Sequence, residues 1–108
     1  DVIILAGNTF GNLDDKKEKV ITEVKRVLKK DGKILLSVYI DGAKDLRIKA
    51  YRDIGLETDL KENGAVVLDG GLLSEEFSRQ QLEIIFKKFS LKVQFVDINS
   101  IAMLCVIG

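Results

Sequence analysis

The chain has 108 residues, 46% of them hydrophobic and 31% charged, enough apolar surface to fold around a core and too much for a disordered segment. Its 17 Lys and Arg balance 17 Asp and Glu, leaving no net field to attract a polyanion, so no nucleic-acid partner is expected. The absence of histidine excludes Ser-His-Asp and Cys-His catalysis, and a single cysteine, Cys105, excludes an internal disulfide.

Residues 2–6 are apolar at every position rather than alternating, the pattern of a parallel strand covered on both faces. Asp14 or Asp15 is placed to cap a following helix whose apolar stripe is Val20, Ile21, Val24, Val27 and Leu28, ended by Asp31-Gly32. Lys33–Ile40 reads as a second strand, and joints this short between strand, helix and strand imply a parallel crossover. A shorter helix is expected over 43–53, with Leu46, Ala50 and Ile54 inward and Lys44, Arg47 and Arg52 in water.

Residues 57–64 are polar and turn-like, 65–68 form a short strand, and Asp69-Gly70-Gly71 ends it. Ser74 is placed to cap an early turn. Ser78 with Gln81 makes a capping box for a third helix that buries Leu82, Ile85, Phe86 and Phe89. The tail alternates at Leu91, Val93 and Phe95, turns at Asn99-Ser100, and finishes in an unbroken apolar run over 101–107. An antiparallel hairpin follows, with its last strand in the interior of the sheet. Neither 2–6 nor 101–107 approaches the roughly 20 apolar residues that span a bilayer. With no signal peptide at the start, a cytoplasmic protein with no membrane partner is expected.

A parallel strand pair closed by a hairpin whose last strand slots inward resembles the C-terminal half of class I S-adenosylmethionine-dependent methyltransferases, from their fourth strand onward. The segment from Asp1 to Leu13, with Gly7-Asn8-Thr9-Phe10-Gly11-Asn12-Leu13 after the strand, is similar to that family's strand-four motif and loop. The stretch from Leu28 to Leu36 resembles its helix end, turn and fifth strand. Those from Tyr51 to Leu56 and from Gly71 to Ser78 resemble the segments that shape the substrate pocket of small-molecule members. The resemblance implies one α/β domain over 1–108, a Rossmann-like sheet with a terminal antiparallel hairpin and helices on both faces. It also implies methyl transfer from S-adenosylmethionine to a small-molecule substrate. The family's Gly-rich loop after strand one and acidic residue after strand two have no counterpart here. The chain is therefore expected to act with a missing N-terminal half, as after truncation, and to be inactive alone. No aromatic Asn/Asp-Pro-Pro-Tyr motif is present, against DNA adenine methylation.

In doubly wound sheets the ligand crevice lies outside the carboxyl ends of the strands, which selects the loops 7–13 and 39–42. Gly7 allows close backbone approach, and Asn8 offers an amide donor and acceptor. The resemblance places Gly7, Asn8 and Asn12 beside the cofactor and Asn8 and Phe10 beside substrate, while Gly11 serves the turn. Tyr39 and Asp41, ending the second strand, are positioned to orient a nucleophile, although Asp41-Gly42 is equally a plain turn. No spacing of acidic residues forms a metal cluster. A different reading makes the chain an interaction module, pairing as a homodimer through the open edge of its first strand.

Overall fold

The computed structural model describes residues 1–60, 66–68 and 71–108. Four strands form the main path of the larger sheet: β1 (Val2–Leu5), β2 (Lys33–Ile40), β8 (Ala102–Ile107) and β7 (Val93–Asp97), in the order β1-β2-β8-β7. β1 runs parallel to β2, with Val2 opposite Lys33 and Leu5 opposite Leu36. β8 lies antiparallel between β2 and β7, in the interior position that its unbroken apolar run implied. The Asn99 side chain forms the turn that feeds it, its Oδ1 accepting from the N–H groups of Ile101 at 2.8 Å and Ala102 at 2.9 Å.

Three helices accompany the sheet: α1 (Lys17–Val27), α2 (Lys44–Asp53) and α3 (Arg79–Lys87). The core joins Ile34, Leu36 and Val38 of β2 with Met103, Cys105 and Ile107 of β8, Ile21 of α1 and Leu82 and Phe86 of α3. Phe10 sits fully buried among them, its ring 5.4 Å from Phe77 and 5.7 Å from Phe86 between centroids. α3 starts at the expected capping box, with Ser78 and Gln81 satisfying each other's backbone N–H. No helix among the described residues is long and apolar enough to cross a membrane.

Several local expectations are corrected. Asp14 and Asp15 do not cap α1; they lie in a 3-10 turn (Asp14–Lys16) ahead of it, and no side chain caps that helix. Thr58–Leu60, read as turn, forms β3, which pairs antiparallel with β4 (Val66–Leu68) because a short polar strand gains its ladder from a partner. Ala65, Asp69 and Gly70 lie outside the described residues. Ser74 caps nothing: it belongs to β5 (Leu73–Ser74), which completes a small sheet with β3 and β4. β1 is not covered on both faces, since Val2 and Ile4 are 56% and 64% exposed at the end of the sheet.

The register of β2 determines what lies at its carboxyl end. β8 occupies one edge of β2 from Ile34 to Tyr39, whereas β1 follows the other edge only to Leu36. Beyond that point the vacated edge is taken by β6 (Glu76–Phe77), parallel to β2, with Tyr39 opposite Glu76 and Ile40 opposite Phe77. The chain leaving β1 and the chain entering β6 therefore meet at the top of β2.

Candidate functional site

The loop after β1 turns at Gly7, whose φ of 65° is left-handed and favours glycine. The Gly7 carbonyl accepts from Ser37 Oγ at 2.6 Å, and space around the glycine is open. Gly11 serves a different need from the turn expected of it. Its φ is not left-handed, and a Cβ there would stand 2.4 Å from Asn8 Oδ1, so glycine makes room for the Asn8 amide. The loop is fastened to the segment before β6: Asn12 Nδ2 donates to the Leu73 carbonyl at 2.6 Å, Glu75 N–H to the Gly11 carbonyl at 3.1 Å, and Lys17 pairs with Glu75.

Behind this loop lies a polar cluster centred on Ser74, which is fully buried. Ser74 Oγ receives Asn8 Nδ2 at 3.3 Å and Arg47 Nη1 at 2.8 Å, and it stands 3.0 Å from Tyr51 Oη. Tyr51 Oη donates onward to Tyr39 Oη at 3.3 Å, with the two rings perpendicular. Arg47 is 1% exposed, contrary to its expected place in water. Nη1 also reaches the Ser74 carbonyl, Nη2 pairs with Glu76 Oε2 at 3.1 Å, and the guanidinium lies 5.0 Å from the Tyr39 ring centre. A buried charge needs such compensation, and Ser74, Glu76 and the Tyr39 ring provide it together.

Because Arg47 faces inward, α2 is rotated from its expected orientation. Its inner row is Ala43, Arg47 and Tyr51, while Leu46 and Ile54 are exposed at 48% and 72% and Ala50 is exposed as well. Two polar atoms are buried without a partner among the described residues, Asn8 Oδ1 and Arg47 Nε. Burial, first of all, pushes the Tyr39 hydroxyl from its ordinary 10.0 up to about 12, against the opposing charge of Arg47. At neutral pH Tyr39 is thus a phenol, able to donate a hydrogen bond and not to serve as a phenolate base.

Of the residues singled out in the sequence, Asn8 and Tyr39 belong to this cluster and Gly7 adjoins it. Asn12 borders a shallow depression of about 390 Å³ with Leu13 and Leu73. Asp41 is exposed in the turn after β2, its N–H donating to the Phe77 carbonyl at 3.1 Å. Phe10 presents no surface to a ligand, because it is completely enclosed in the core. Tyr51, Arg47, Ser74 and Glu76 complete the cluster; the last three were given no site role from sequence, although Ser74, like Tyr51, lies in one of the two segments that resemble pocket-forming regions.

The larger sheet and its helices define a mixed α/β protein with an inserted antiparallel last strand. The chain shares its fold with a solved structure described as a DhpI-SAM-HEP complex, at a TM-score of 0.69 and 12% sequence identity. The match covers 100% of this chain and 50% of the other, so the chain spans half the length of the structure it matches. No protein-family profile and no curated protein sequence matches.

Proposed function

We propose that this chain is the acceptor-side half of an S-adenosylmethionine-dependent methyltransferase for a small molecule, working with a second half that holds most of the cofactor. The observation that carries this reading is the full-length fold match to half of a chain solved in a complex with SAM. It gains support from the polar cluster at the carboxyl end of β2, the side on which open α/β sheets take ligands.

The residues present fit one side of such a cofactor. Asn8 Oδ1 is a buried acceptor in need of a positive or N–H partner, and Gly7 leaves its surroundings open. When bound, the cofactor supplies an electrophilic methyl group. Asn8 and Gly7 then line its sulfonium side, Asn12 adjoins them, and Tyr39 and Asp41 orient the acceptor. A nucleophile that already carries a lone pair needs alignment and exclusion of water more than proton transfer, which suits a site lacking histidine.

Calorimetric titration with S-adenosylmethionine tests this reading, using the chain alone and with any upstream coding sequence restored. Binding in the longer form and none in the chain alone is expected; no binding in either form rejects the methyltransferase reading. The second reading, association through β1, is favoured by Val2 and Ile4, exposed side by side along an end strand. A homodimer by light scattering that dissociates on Ile4→Lys substitution supports it, and a monomer at high concentration rejects it.

A further inference from the structure

A serine hydroxyl has two acceptor positions and one hydrogen to give. At Ser74 both acceptor positions are taken, one by Asn8 Nδ2 at 3.3 Å and the other by Arg47 Nη1 at 2.8 Å. Arg47 can only donate, so its end of the chain cannot be reversed. With the Asn8 amide turned Nδ2-first toward Ser74, the Ser74 hydrogen goes to its remaining neighbour, Tyr51 Oη at 3.0 Å. With its oxygen accepting from Ser74, Tyr51 gives its own hydrogen to Tyr39 Oη at 3.3 Å. Tyr39 accepts there, and its hydrogen is left without a partner among the described residues.

We infer that the buried Arg47 sets a one-way chain of hydrogen bonds through Ser74 and Tyr51 that fixes Tyr39 as a hydrogen-bond donor, and that this donor selects a ligand presenting an uncharged acceptor oxygen, such as a carbonyl. Arg47, Ser74 and Tyr51 are positioning residues, and Tyr39 is the contact. An anionic group gains little at Tyr39, because the neighbouring guanidinium is already paired with a carboxylate. Glu76 stands opposite Tyr39 in the register of β2 and β6, Asp41 lies two residues beyond it, and Arg47 already shares its charge with Glu76. The phenol, held up to about 12, keeps its hydrogen throughout the neutral range. The inference deepens the reading of this rim as the acceptor side of a methyl-transfer site and rests on it for the ligand's role. The direction of the chain rests on geometry alone.

Neutron diffraction from deuterium-exchanged crystals of the 108-residue chain reads that direction without cofactor or activity. The expected deuterium positions are on Ser74 toward Tyr51 and on Tyr51 toward Tyr39. A deuterium on Tyr51 directed at Ser74, or on Ser74 directed at the Asn8 amide, overturns the inference. Selectivity is read in solution by following the amide resonances of Gly7 and Asn8 during titration with dimethyl sulfoxide, acetate or methylammonium. Dimethyl sulfoxide, a neutral acceptor, is expected to bind saturably, and the two ions are not. Binding should weaken about tenfold in Tyr39→Phe, the value of one hydrogen bond, and weaken in Ser74→Ala as well. Methylammonium binding as well as dimethyl sulfoxide, or indifference to both substitutions, overturns the selectivity. A chain with the expected deuterium positions that never binds S-adenosylmethionine rejects the methyltransferase reading and leaves the donor assignment standing.

Discussion

The two ends of β2 are held by different forces. Toward its start, Ile34, Leu36 and Val38 enter a dry core with Phe10, Leu82 and Phe86. Toward its end, Tyr39 joins Arg47, Ser74, Tyr51 and Asn8 in a cluster in which nearly every contact is a hydrogen bond or charge. The core tolerates exchange of one apolar side chain for another of similar size, because dispersion and water exclusion have no direction. The cluster tolerates little, because losing a donor or an acceptor leaves a buried polar atom unmatched.

Substitutions separate the two regions by size of effect. Phe86→Ala should cost the most, about 4 kcal/mol in urea unfolding, since a fully packed ring leaves a cavity. Glu76→Ala should cost about 2 kcal/mol: it strands the Arg47 charge, but water reaching the 27% exposed Glu76 side softens the loss. Replacing both partners, Arg47→Met with Glu76→Gln, should recover most of that stability while abolishing any ligand response at Tyr39. A double variant as unstable as Glu76→Ala alone would show that more than the unpaired charge is at stake. Gly11→Ala should cost about 1–2 kcal/mol and displace the Asn8 amide, visible as a shift of its side-chain NH₂ resonances.

Alkaline pH probes both regions at once. Burial pushes the Cys105 thiol from 9.0 up to about 11, Arg79 opposing, as it pushes Tyr39 from 10.0 up to about 12. Between each pair of values the unfolded chain has lost a proton that the folded chain keeps, so unfolding releases protons and stability falls as pH rises. That contribution is complete below pH 9 and is lost from pH 9 to 11 for Cys105 and from pH 10 to 12 for Tyr39. Cys105→Ala should remove the earlier part of the decline in a series of urea midpoints. The smallest effect belongs to exposed Arg52, where Arg52→Ala should change stability by less than about 0.5 kcal/mol.

The contrast also explains which features were legible in the sequence. Strands β1, β2, β7 and β8, the inserted position of β8 and the capping box of α3 follow from periodicity and local chemistry. Asn8 and Tyr39 were found because strand ends and amide-bearing loops are local features too. Arg47 was missed because pattern places an arginine in water, and its burial depends on Ser74 and Glu76, which lie 27 and 29 positions further along the chain. The same dependence hid the rotation of α2: Leu46, Ala50 and Ile54 have apolar spacing, but the polar row of Arg47 and Tyr51 finds partners and turns inward. β3, β5 and β6 are two or three residues long, too short to display a period. Phe10 illustrates the opposite error, a loop residue whose ring belongs wholly to the core.

The most direct test of the polar cluster as the working part of a methyl-transfer unit is the affinity for S-adenosylmethionine of Asn8→Ala against that of Arg52→Ala, with any upstream coding sequence restored. Asn8→Ala should bind at least about tenfold more weakly, as loss of a buried hydrogen-bonding partner requires, and Arg52→Ala should bind as the parent does. Equal affinities in the two variants would contradict the assignment of Asn8 and move the cofactor contact away from this cluster.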